Sequence, residues 1–275
     1  MIEYSSKRSR VTISIKKDLL SRIDSLVDGL SIRSRSQAIE FILTKAIGER
    51  LNTALLLAGG KPRDISIDGN IKFLAKIGQK TLIEHVLNNL ADLGISRFII
   101  YVDYKKEEMV EHFEDLNLGY DLTFISADKA TGTVKPLLMA KPHLKNAFLC
   151  AYGDTICKLN LNSMYAFHKE HSSIATMALT SVSDPRSYGV AIVEGSKVRE
   201  FIEKPMKEVE SYLISAGYFI FEPKIFSYIK PSYKSIERDL LPSLAQKGLL
   251  YAYPFQGLYL NVNKKADLEK AKFLL

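Results

Sequence analysis

Residues 11–15, Val-Thr-Ile-Ser-Ile, alternate apolar and polar positions without a break. A period of two predicts a strand with Val11, Ile13 and Ile15 on one face and Arg10, Thr12, Ser14 and Lys16 on the other. The period then lengthens. Leu19, Leu20, Ile23, Leu26 and Val27 recur at helical spacing, and Asp28-Gly29 closes the segment. A second helical stripe holds Ala38, Ile39, Ile42, Leu43, Ala46 and Ile47 and stops at Gly48. Ser34 is its natural N-cap, and Gln37 can reach back to complete a capping box.

From Leu51 the pattern changes to short apolar runs, each followed by a helical segment. Strands are predicted over 53–57, 98–102, 122–125 and 147–151, with helices near 81–93 and 134–142. Strands alternating with helices predict an α/β fold with a Rossmann-like, mainly parallel sheet, preceded by the small β-α-α segment. Ligands of such sheets bind beyond the carboxyl ends of the strands. Gly59-Gly60 and Gly153-Asp154 both fall there, so they are expected to converge. Paired glycines let backbone amides approach a phosphate, and an Asp at a strand end is a hard oxygen ligand suited to Mg²⁺. The expected division is residues 1–49 and 50–275.

Charge sharpens this division. The 275 residues carry a net +7, and residues 1–50 hold ten Lys/Arg against six Asp/Glu, more than half of the excess. That asymmetry predicts a polyanion-binding head on a nearly neutral body. The two cysteines, Cys150 and Cys157, match no zinc or disulfide pattern and read as reduced thiols of a cytoplasmic protein. No apolar run approaches the roughly 18–20 residues that span a bilayer, so no membrane partner is expected.

The strand, helix, loop, helix order of residues 8–48 resembles the ribbon-helix-helix family of repressors and antitoxins. The Arg-Val-Thr-Ile-Ser-Ile strand and the Ser-Arg-Ser-Gln-Ala-Ile opening of the second helix carry the likeness. It implies a homodimer, or a higher assembly built on it, whose paired strands enter the major groove of double-stranded DNA. Arg10, Thr12 and Ser14 would then face base edges, and the helix start at Ser34, Arg35 and Ser36 would hold a phosphate. Lys7, Arg8 and Arg33 would add backbone contacts. The alternative is a segment that only dimerises.

The body carries a second likeness. Ala58-Gly59-Gly60, Lys72-Phe73-Leu74, the stretch 78–85, Gly132-Thr133, Tyr152-Gly153-Asp154, Tyr188-Gly189, Phe201 through Pro205 and Ser215-Ala216-Gly217 follow one another in an order that resembles the sugar-1-phosphate nucleotidylyltransferases. The resemblance implies attack of a sugar-1-phosphate oxygen on the α-phosphorus of a nucleoside triphosphate, releasing pyrophosphate. It also implies roles. Leu57, Ala58, Gly59 and Gly60 would cradle the nucleotide, with Gly132 and Thr133 beside the base. Lys72 would stabilise charge at the α-phosphate, and Arg63 would clamp the triphosphate. Glu203 and Lys204 would hold the sugar and its phosphate in a pocket lined by Gly189 and Gly217. Asp154 and the residue at 261 would bind Mg²⁺.

Two departures from that family stand out. After Gly60 the chain reads Lys61-Pro62-Arg63-Asp64, where the family continues with a further glycine, and Pro62 lacks an amide hydrogen. At 261 the family has an Asp and this chain has Asn261, which weakens metal binding. The expectation is therefore an active nucleotidylyltransferase with an adapted loop. The alternative is a weakened copy that senses a nucleotide or sugar nucleotide and acts as a ligand-responsive transcriptional regulator.

Overall fold

The computed structural model describes residues 11–29, 32–47, 50–114, 116, 119–127 and 132–275. The chain divides into two compact units, Met1–Arg50 and Leu51–Leu275. Among the described residues no helix is long and apolar enough to cross a membrane.

In the first unit, α2 (Arg35–Ile47) forms where the apolar spacing predicts it, while α1 (Lys17–Asp24) stops short of Leu26 and Val27, which the predicted stripe included. Ser34 caps α2: its Oγ accepts the Gln37 N–H at 3.2 Å and its carbonyl accepts the Ala38 N–H at 3.0 Å. The reciprocal half of the expected box is displaced, because Gln37 Oε1 takes the N–H of Arg33 (2.7 Å) in place of that of Ser34. Residues 11–16 carry no strand, which corrects the sequence expectation for a single chain. A ladder needs a second row of donors and acceptors, and among its described residues this unit holds no other strand. Among its described residues Ile23 and Ala38 are the buried hydrophobics, while Val11, Ile13, Leu19 and Leu43 are exposed. Arg10, with Lys7 and Arg8, lies outside the described residues.

The second unit begins with β1 (Thr53–Leu57), α3 (Pro62–Ile65) and two short hairpins, β2 (Ser66–Ile67) with β3 (Asn70–Ile71) and β4 (Lys76–Ile77) with β5 (Lys80–Thr81). There follow α4 (Leu82–Asp92), β6 (Arg97–Tyr101), α5 (Lys106–Glu114), β7 (Asp121–Ile125), α6 (Val134–Ala140), β8 (Phe148–Tyr152) and β9 (Thr155–Cys157). The remainder is α7 (Leu161–Glu170), β10 (Ala175–Ser181), β11 (Gly189–Glu194), β12 (Lys197–Glu203), β13 (Leu213–Phe221), α8 (Leu241–Gln246), β14 (Leu250–Pro254), β15 (Tyr259–Asn261) and α9 (Lys265–Leu274).

Nine strands make one sheet, ordered β10-β14-β12-β11-β13-β8-β1-β6-β7. The expected mainly parallel sheet is in fact mixed. β8, β1, β6 and β7 run parallel, as their intervening helices require. β13 reverses against β8, and β11 and β12 pair antiparallel. For β11 and β12 the cause is local: only Gly195 and Ser196 separate them, and Gly195 takes a left-handed φ of 59° that closes a tight hairpin.

Alternation along the central strands sorts the core. Ala54, Leu56, Phe98, Ile100, Leu149 and Ala151 pack on one face with residues of α4, α5, α7 and α9. Leu55, Leu57, Ile99, Phe148 and Cys150 pack on the other with α6 and α8. Both faces of the sheet are covered, as a parallel segment demands. Register then does the positioning: Leu57 lies level with Tyr101 and Tyr152, and Tyr101 with Ile125. Whatever follows these strand ends is delivered to one rim.

Candidate active site

Ala58 and Gly153 are the first residues past that rim to meet. Gly153 donates its N–H to Leu57 O at 3.0 Å, and a Cβ on Gly153 would come 2.9 Å from Ala58 Cβ. Asp154 follows, and its carboxylate is engaged at both oxygens. The Thr155 hydroxyl donates to Oδ1 at 3.2 Å, and Lys72 Nζ sits 2.5 Å from Oδ2.

Lys72 reaches Asp154 from the turn Lys72–Leu74, which is anchored by the buried Phe73 against Gly153. The Lys72 side chain is 3% exposed, an unusual state for a lysine unless it is paired. Its ammonium also donates to Asn263 Oδ1 at 3.2 Å. β15 pairs with β9 so that Asn261 faces Thr155, and the Val262 N–H donates to Asp154 O at 2.9 Å. Asn261 Oδ1 is sealed from solvent without a hydrogen-bond partner. Beneath this, the buried Tyr218 hydroxyl donates to Thr155 O at 3.1 Å and fixes the strand that carries the carboxylate.

Two further clusters flank this centre. Thr133 donates to Glu237 Oε2 (3.0 Å) and accepts the Ile236 N–H (2.7 Å). Gly132 next to it has φ +79°, and a Cβ there would lie 2.3 Å from Lys234 O, so only glycine fits. Glu237 is raised above the ordinary carboxyl range by burial. In the other cluster a Cβ on Gly189 would meet Phe201 Cζ at 2.2 Å and Glu203 Oε2 at 2.9 Å. Burial raises Glu203, opposed by the charges of Lys204 and Arg238. Gly217 lies against the ring of Tyr152.

A model of the nucleotidyl transferase family matches residues 53–271, most of the chain and all of the elements just described. The chain belongs to the nucleotidyl transferase family. It is 32% identical over 225 residues to the mannose-1-phosphate guanylyltransferase catalytic subunit beta of Drosophila pseudoobscura pseudoobscura, covering 78% of this chain and 60% of that protein. The mannose-1-phosphate guanyltransferase of Saccharomyces cerevisiae is 30% identical over 226 residues, 78% of this chain and 62% of that one. The chain thus spans about three fifths of the length of these relatives. Among solved structures, a Bacillus anthracis chain in complex with a sucrose gives a TM-score of 0.73 at 24% identity, covering 81% of this chain and 94% of that one. HddC from Yersinia pseudotuberculosis complexed with GMP-PN gives 0.69 at 21%, covering 82% and 99%. These last two share the fold.

Within this nucleotidyl transferase body, Lys72 pairs with Asp154, and Asn261 stands on the strand opposite Thr155, the residue after that aspartate. Arg63 does not join them. It is 78% exposed on α3, 3.5 Å from its neighbour Asp64, because the helix started by Pro62 turns it outward. Lys204 is also exposed, with its Nζ 4.0 Å from Glu203. At the glycine loop the Gly60 N–H is already taken by Asp103 Oδ1 at 2.8 Å, and Tyr101 donates to the other oxygen at 3.2 Å.

Asp103, Thr155, Tyr218, Glu237 and Asn263 escape the sequence reading. Asp103 had a signal, since it stands just past a predicted strand by the same logic that singles out Asp154. Asn263 had none. Among the described residues no three His, Cys, Asp or Glu side chains gather as a metal set.

Proposed function

We propose that the body transfers a nucleotidyl group from a nucleoside triphosphate to a sugar-1-phosphate. The buried Lys72–Asp154 pair at the strand rim is the observation that carries this reading. A sugar phosphate oxygen bonds to the α-phosphorus as the bond to the β-phosphate oxygen breaks, giving a nucleoside diphosphate sugar and pyrophosphate. Such a reaction asks the protein for position and charge neutralisation more than for covalent chemistry. Lys72 supplies a desolvated positive charge to the α-phosphate. Ala58, Gly59 and Gly60 pass the nucleotide, and the Gly132-Thr133 corner flanks the base. Glu203, at the edge that Gly189 and Gly217 keep open, accepts sugar hydroxyls.

The orphaned Asn261 oxygen, on the strand paired with Thr155, and the Asp154 carboxylate next to Thr155 are hard donors of the kind that fit Mg²⁺, so Asp154 and Asn261 would hold the ion. When bound, the ion spreads the negative charge of the phosphates.

Pyrophosphate release tests the reading, with each nucleoside triphosphate assayed against mannose-1-phosphate and glucose-1-phosphate. The relatives make GTP with mannose-1-phosphate the pair expected to turn over fastest. No release from any pair, with thermal stabilisation by a nucleotide, would favour the sensor instead. Asn261 and the Asp103 contact at Gly60 are the features that speak for that second reading.

For the head we propose a ribbon-helix-helix role in which two copies pair residues 11–15 and bind double-stranded DNA. Supporting this, the apolar Val11 and Ile13 are 78% and 55% exposed in the single chain, with the polar Thr12 and Ser14 between them. At the helix start, Ser34 and Ser36 offer amides to a phosphate, while the Arg35 guanidinium is committed to Asp24 in two bonds of 2.6 and 2.8 Å. A dimer in sedimentation that becomes a monomer in Ile13→Lys, and a footprint weakened by Arg10→Ala, are the expected results. A wild-type monomer contradicts the pairing, and absence of a footprint at low salt contradicts the DNA role.

A further inference from the structure

The Lys72 ammonium has three N–H groups and is almost wholly removed from water, so each needs an acceptor inside the site. Asp154 provides one, but this carboxylate has other work: it is also the charged half of the oxygen pair that suits a metal ion. An ammonium held by that carboxylate alone would lose its partner whenever Asp154 turned elsewhere. It would also bring little net charge to a phosphate while the partner stayed.

Asn263 answers both problems. Its Oδ1 accepts from Lys72 Nζ at 3.2 Å, across 191 residues of sequence. The amide is neutral, so it orients the ammonium without cancelling its charge. Its backbone is pinned as well. Asp267 Oδ2, in the first turn of α9, accepts the N–H groups of both Asn263 and Lys264 at 3.0 Å.

We propose that Asn263 is the positioning residue of Lys72, the neutral acceptor that keeps the ammonium aimed when substrate phosphates and their metal draw on Asp154. This inference rests on the reading of the body as a nucleotidylyltransferase. Asn263 touches no reacting atom in this scheme and acts through Lys72.

Steady-state kinetics of two variants test it. Asn263→Ala should lower kcat about tenfold, leaving KM for the sugar phosphate within about twofold and the melting temperature within about 3 °C. Asn263→Asp keeps the shape and the acceptor but adds a charge that neutralises Lys72, so its kcat should fall at least as far. A kcat within about twofold of wild type in Asn263→Ala, or an Asn263→Asp variant as active as wild type, overturns the proposal. So does a loss of kcat that merely tracks a lower melting temperature. A crystal structure of the wild type with Mn²⁺ and a non-hydrolysable triphosphate decides the matter independently of turnover. Lys72 Nζ should remain in hydrogen-bond range of Asn263 Oδ1, and a separation beyond about 4 Å overturns the proposal. Failure of the wild type to release pyrophosphate would instead sink the reading of the body, and that crystal structure would still judge Asn263.

Discussion

Around Asp154 the chain pairs its charges in advance: Lys72, Thr155 and Asn263 are tied into one network, with Tyr218 holding the strand below. Around Gly60 it does the opposite, placing the acidic side chain of Asp103 on an amide that a phosphate would otherwise use. In the proposed reaction the first end is prepared for chemistry. The other carries an occupant that an incoming triphosphate would have to displace or live beside. If the body transfers nucleotidyl groups as proposed, rate and affinity are set at separate places, so substitutions at the two ends should change different kinetic constants, and even in opposite directions.

The largest effect should come from Lys72→Ala. It removes the charge at the α-phosphate and strands Asp154 without its cation, so kcat should fall about a thousandfold. A fall in kcat of less than about tenfold would show that the Asp154 end is not where rate is set. Asp103→Asn should be smaller and of opposite sign. It keeps an oxygen for the Gly60 N–H but removes the negative charge, so KM for the triphosphate should drop about threefold to tenfold. A higher KM would mean that the carboxylate shapes the loop more than it repels the ligand.

The smallest effect belongs to the scaffold shared by both ends. His168 is fully buried between α7 and β10, with Nδ1 hydrogen-bonded to Thr176 Oγ1 at 2.8 Å. Burial, helped by the neighbouring charge of Lys169, pushes its imidazole from 6.5 down to about 4. Between those values the unfolded chain binds a proton that the folded chain refuses. Stability present above pH 6.5 is therefore lost as pH falls through about 4. Denaturant titrations from pH 7 to 4 should show this slope, and His168→Gln should flatten it. An unchanged slope in that variant would assign the acid limb to other groups.

Sequence patterning marked both strand ends, Gly59-Gly60 and Gly153-Asp154, but not the distant side chains that complete them, Asp103 at Gly60 and Asn263 at Lys72. A strand that ends in Gly-Asp announces where its side chain goes, whereas Lys72 stands out only by its place in the family-like order of motifs. Asn263 is 191 residues from the lysine it serves, and no local period encodes a contact of that kind. Arg63 was legible as a cation but not as an exposed one, because its direction depends on the single turn that Pro62 starts. The four parallel strands followed from alternation with helices. The β11–β12 hairpin in the mixed half of the sheet did not, since it is marked by no more than Gly195 and Ser196. Residues 11–15 show the reverse case: a clear two-residue period that forms no strand in the single chain.

Pyrophosphate release from GTP and mannose-1-phosphate, measured for the wild type beside Asp154→Ala, bears most directly on the claim that the Lys72–Asp154 pair organises nucleotidyl transfer. The account predicts clear turnover by the wild type and its loss in the variant. Turnover in Asp154→Ala equal to that of the wild type, or none by the wild type with any nucleotide and sugar phosphate, would contradict it.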